Sequence, residues 1–138
     1  MLKVLLFLNF LFMRSVNKVI LVGHLAADPE IRQTATGHTV ANFKVATNRD
    51  WKSADGELHE ATDYHRVIAW RKLGEICGEH LKKGTGIYME GRLMNNQYKD
   101  KNGVDRFSTE IVMDMFNFLT SKKVGKTEDI QLVEVEAA

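Results

Sequence analysis

Five histidines, one cysteine and 18 acidic residues are the material from which any catalytic or metal site would have to be built. The histidines (His24, His38, His59, His65 and His80) are scattered. Cys77 and His80 have the spacing of one metal-binding pair, but no second pair accompanies them, so one face of a helix is the better reading. Gly125-Lys126-Thr127 imitates the end of a phosphate-binding loop. The first glycine of such a loop would fall on Thr120, and no apolar strand leads into it. No Ser, His and acid grouping is legible. Catalysis, a metal and a cofactor are therefore not expected.

A different chemistry is written in aromatics and cations. From Thr62 to Trp70, period-two alternation puts Tyr64, Arg66, Ile68 and Trp70 on one face. A cation between two aromatics suits a single nucleic-acid strand, with rings to stack on bases and a charge for the phosphate between them. The pattern also allows a barrel core with Arg66 snorkelling out of it. Trp51 lies in a polar stretch beside Arg49 and Lys52, and Tyr98 precedes Lys99 and Lys101. Two hairpins, each carrying a ring beside cations, have the look of fingers over a polyanion. The other reading folds each ring back onto its own hairpin.

The elements that must position these groups are mostly strands. Val16 to Leu25 is apolar and β-branched, and Asp28-Pro29 ends it. Glu30 to Thr34 is a short second piece, followed by a turn at Thr36-Gly37. Val40 to Asn48 alternates, and Asp55-Gly56 marks a hairpin within the polar loop Asp50 to His59. After Thr62 to Trp70 comes a helix over Lys72 to Leu81, with Leu73, Ile76, Cys77 and His80 at helical spacing. Lys82-Lys83-Gly84 closes it. Ile87, Met89, Gly91 and Leu93 share a face of the next strand, Asp100 to Gly103 turns the chain, and Phe107, Thr109, Ile111 and Met113 share a face of the return. About five hairpin-linked strands with one helix make an all-β chain, and a small closed antiparallel barrel with long hairpin loops accommodates them. The OB-fold is one such barrel.

Bulk properties set the frame. A chain of 138 residues has room for one domain with a real core. A net charge of +1 neither demands a polyanionic partner nor excludes one. One cysteine permits no intrachain disulfide, which fits a reducing compartment, and a packed thiol is expected at Cys77. Residues 1–12 are nearly all apolar, too short to span a bilayer as a helix and without a small-x-small cleavage site. We expect Met13 to be the native start, residues 13–120 to form the domain, and residues 121–138 to be a flexible polar, acidic tail.

Several segments together are specific. VNKVILVG at 16–23, Asp28-Pro29-Glu30, VANFKVAT at 40–47, Trp51, Tyr64-His65-Arg66-Val67, Lys72-Leu73-Gly74-Glu75, Glu90-Gly91-Arg92-Leu93 and Asp105-Arg106-Phe107 resemble, in order, bacterial and mitochondrial single-stranded DNA-binding proteins. The resemblance covers about residues 14–118. It implies an OB-fold working as a homotetramer in the bacterial cytoplasm, in DNA replication, repair and recombination. It also implies base stacking by Trp51, Tyr64, Trp70 and Tyr98. Lys18, Arg32, Arg66, Lys72, Lys82, Lys83 and Arg106 match cations along the strand's path, and His65 matches a position near the subunit interface. Met94, Asn96 and Gln97 stand where relatives are often basic. The ending EDIQLVEVEAA lacks the Asp-Ile-Pro-Phe tip through which bacterial members dock replication and repair proteins. A primosome-type accessory protein, acting mainly through protein contacts, is the alternative; the full aromatic set argues against it.

Overall fold

The computed structural model describes residues 14–120 and 131–135, together with Lys3. Among the described residues the elements follow in the order β1 (Val19–Leu25), β2 (Glu30–Gln33), β3 (Thr39–Lys52), β4 (Leu58–Trp70), α1 (Arg71–His80), β5 (Gly86–Lys99), β6 (Asp105–Thr120) and β7 (Gln131–Val135). Neighbours run β1-β5-β6-β4-β3, and a β1–β3 pairing closes the ring. This is the five-stranded barrel with one helix that the hairpin pattern suggested. Of its five seams, the β4–β6 seam is parallel, with Val67 opposite Ile111 and Ile68 opposite Val112. The helix between β4 and β5 supplies the crossover that a parallel seam needs.

Alternation fills the barrel. Ala41, Phe43 and Val45 of β3, Val67 and Ala69 of β4, Ile87 and Met89 of β5, and Ile111, Met113 and Phe116 of β6 form one buried cluster. Helix α1 adds Leu73 and Cys77, and Leu81 follows it into the same core. Burial pushes the Cys77 thiol up to about 12, so it is a packed thiol, as expected. His80 is exposed and meets Phe118 edge-on, with ring centroids 6.2 Å apart.

The structure adds to the sequence expectations at three places. Strands β3 and β4 run on through the supposed polar loop, in unbroken register to Lys52 opposite Leu58. Beyond the barrel both faces of this ribbon are wet, so no apolar alternation announces it. The shared faces read for Leu93 and for Phe107 keep their register, with Leu93 opposite Ile111 and Phe107 opposite Gln97, but they run out of the core: Leu93 is 46% and Phe107 75% exposed. Gly91 opposes Met113 while Glu90 opposes Met115, which leaves Asp114 as an extra, unpaired residue. Such a bulge bends the ribbon and increases its twist. A Cβ on Gly91 would collide with the carbonyl oxygen of Val112, so close do the strands pass. Within residues 121–138, β7 pairs antiparallel to β6 from Gln131 opposite Thr120 to Val135 opposite Phe116. It takes the edge of β6 that extends beyond the β4 seam.

Candidate nucleic-acid interface

The β3–β4 and β5–β6 hairpins extend from the barrel as two arms. Polar rungs stitch each one: the Thr62 hydroxyl donates to Asn48 Oδ1 at 2.9 Å, and the Thr109 hydroxyl to Asn95 Oδ1 at 3.0 Å. The second arm turns at Asp100. One of its carboxylate oxygens accepts the N–H groups of Asn102 and Val104 at 2.9 and 3.0 Å. The left-handed Gly103 (φ 75°) completes the turn.

All four expected stacking residues are exposed: Trp51 by 43%, Tyr64 by 61%, Trp70 by 42% and Tyr98 by 52%. They do not lie on one face. Tyr64, Arg66 and Trp70 share the outer face of β4, with Ile68 sealed between them by Val40, Val112 and Met94. Trp51 opposes His59, on the other side of the ribbon. Its ring stacks on His59 at 5.4 Å, and the Arg49 guanidinium lies 5.0 Å from its centroid. Trp51 thus packs on its own hairpin and still keeps an exposed surface.

An open groove of about 450 Å³ lies between β4 and the second arm. Tyr64, His65, Arg66, Leu93, Tyr98 and Phe107 help to line it. It brings together Tyr64, Arg66 and Tyr98, and it adds Leu93 and Phe107, which the sequence reading had not singled out as site residues. The missed signal was in the residues themselves: an aromatic beside Arg106 at the start of a strand repeats the pattern of Tyr98 beside Lys99. His65 lies at the groove's edge, half-buried, and its Nε2 is 2.9 Å from the Thr47 hydroxyl.

The cations divide into two groups. Lys18 donates to Glu90 at 2.9 Å; the carboxylate holds the Lys18 ammonium above its usual pKa, and the bonds from Lys18 and then Tyr88 hold the Glu90 carboxyl below its own. Arg32 lies on Glu30 at 2.6 Å, Lys72 is 3.6 Å from Glu75, and Arg106 is 3.0 Å from Asp100. Among the described residues, Arg66, Lys82 and Lys83 have no carboxylate at ion-pair distance. The loop carrying the two lysines is pinned by the Lys83 N–H donating to Asp28 Oδ1 at 2.8 Å. Such surface pairs cost little to exchange for a phosphate.

One grouping escaped the sequence reading. At the tip of the first arm the donor atoms of Asp55, Glu57 and His59 lie within 4.8 Å of one another. The Asp55 carboxylate accepts the Ser53 hydroxyl and the Glu57 N–H, and these two bonds, in that order, hold it below its usual pKa.

A closed five-stranded barrel with a helical plug, two arms and exposed rings among cations defines an OB-fold protein of the oligonucleotide-binding kind. Residues 16–119 match the single-strand binding protein family, and the chain belongs to that family. It is 46% identical over 113 residues to single-stranded DNA-binding protein 1 of Chlorobaculum tepidum, spanning 81% of this chain and 70% of that one. Among solved structures it resembles the Plasmodium falciparum SSB in complex with ssDNA. That match has a TM-score of 0.73 and 29% identity, and covers 78% of this chain and 98% of the other.

Proposed function

We propose that this chain binds single-stranded DNA with little regard for sequence, and that it protects the strand during replication, repair and recombination. The groove that gathers Tyr64, Arg66, Tyr98 and Phe107 carries this reading. Bases stack on the rings, and the unpaired cations take the phosphates. The protein acts by binding rather than by catalysis.

It works as a homotetramer. Ile20 and Val22, 55% and 58% exposed on the outer side of β1, offer apolar sheet surface for a second copy. The buried, unpaired Cys77 suits the reducing cytoplasm, where we place it.

Titration with oligo-dT, followed by the fluorescence of Trp51 and Trp70, is the test. Quenching that saturates at a large site size is expected, with light scattering at four times the chain mass. A folded protein whose fluorescence ignores oligo-dT overturns the binding, and a monomer overturns the assembly.

A further inference from the structure

Resting on the reading just given, we propose that Lys44 and Arg66 together seat one backbone phosphate of the bound strand. Lys44 stands directly across the β3–β4 ladder from Arg66, so both side chains leave the ribbon on the same face. Both are exposed. Like charges facing each other across a ladder destabilise it.

The carboxylates nearby do not relieve this. Glu30 and Glu110 line the same concavity of about 300 Å³ as the two cations. Glu30 is taken by Arg32, which donates from Nε and Nη2 at 3.0 and 2.6 Å. Glu110 accepts from Asn96 Nδ2 at 3.3 Å. Neither reaches Lys44 or Arg66 at ion-pair distance.

The same ribbon shows the opposite arrangement further out, where Asp50 faces Glu60. Two cations and two acids that could have formed two mixed rungs are instead sorted, cations by the barrel and acids toward the tip. A polyanion crossing this face is drawn to the first rung and repelled by the second. Tyr64 neighbours Arg66 on that face with only Ala46 opposite it, which leaves its ring open beside the cations. Lys44 lies outside the set of family-matched cations, and nothing in the alternation of β3 distinguished it from an ordinary outward lysine.

The test is a double-mutant cycle on the full chain: Lys44→Gln, Arg66→Gln and the pair, read by oligo-dT affinity across salt and by melting without DNA. Lys44→Gln should weaken binding about tenfold at low salt and flatten the log–log salt slope by about 0.7. It should also raise the DNA-free melting temperature by roughly 1–3 °C, by removing the repulsion. Lys44→Arg should restore affinity. With a shared phosphate, the double variant loses less than the sum of the singles. Strictly additive losses overturn the shared seat, as does a Lys44→Gln protein with unchanged affinity and slope. If Trp70→Ala still weakens binding in that second case, only the seat fails; if it does not, the DNA-binding reading fails with it.

Discussion

The β3–β4 ribbon changes character halfway along its length. Near the barrel Ala41, Phe43 and Val45 are buried, whereas beyond Thr47 the same ladder carries Arg49, Trp51 and Leu58 in solvent. The β5–β6 ribbon repeats the change, from a fully buried Met89 to an exposed Tyr98 and Phe107. The ladder is unbroken in the first ribbon and interrupted in the second by the bulge at Asp114; what differs along each is what stabilises it. Apolar burial holds the barrel half. Backbone pairing and polar rungs such as Thr62 to Asn48 hold the arms. Stability and binding are thereby assigned to different halves of the same strands, and substitutions should separate them.

The largest effect belongs to the barrel. Phe116 is wholly buried in the barrel cluster, opposite Met89 and edge-on to Phe118 with ring centroids 5.1 Å apart. Phe116→Ala should cost about 3–5 kcal/mol of stability by chemical denaturation, while at low denaturant the folded fraction binds oligo-dT with unchanged affinity. A loss of affinity in the folded fraction would show that the two halves are coupled.

Trp70→Ala and Trp51→Ala should behave in reverse. Each is expected to lose roughly 1–3 kcal/mol of binding, the value of a base–aromatic stack, with little change in unfolding. Trp51 gives the sharper test, because the ring already stacks on His59 and lies near Arg49. Full affinity in Trp51→Ala would mean that the ring serves its own hairpin. Phe107→Ala, in the groove opposite Tyr64, should lose about 1 kcal/mol of binding and leave the melting point in place. A large drop in melting would show that Phe107 serves the fold rather than the groove.

That division also explains what was legible in the sequence. Barrel segments alternate because one face is buried and the other wet, so β1, the inner half of β3 and the helix with Leu73 and Cys77 can be read directly. The arms are wet on both faces, and pairing leaves no apolar signal there, so Asp50 to His59 looks like a loop. The bulge at Asp114 shifts the phase of alternation, and period-two counting from Met113 back to Phe107 cannot tell that the ribbon leaves the core. The exposed aromatics were visible as rings beside cations. Which cations are already paired was not, because Lys18 meets Glu90 and Arg106 meets Asp100 only once the strands are in register.

The smallest effect lies at the tip of the second arm. The N–H of Val104, then the Arg106 guanidinium, then the N–H of Asn102 hold the Asp100 carboxyl below its usual pKa. A carboxyl depressed in the folded state stabilises it above the unfolded pKa, about 3.9, and that stabilisation is lost as pH falls through the lower folded value. The turn should therefore be fully ordered at neutral pH and loosen only in acid. Asp100→Asn mimics that acid state at pH 7. Amide exchange at Asn102 and Val104 should quicken in this variant, with global melting nearly unchanged, since the arm contributes little to the core. Arg106, released from its carboxylate, should then bind oligo-dT slightly more tightly at low salt. A melting loss comparable to that of Phe116→Ala would show that the arm is a structural part of the barrel and that the division between the two halves is wrong.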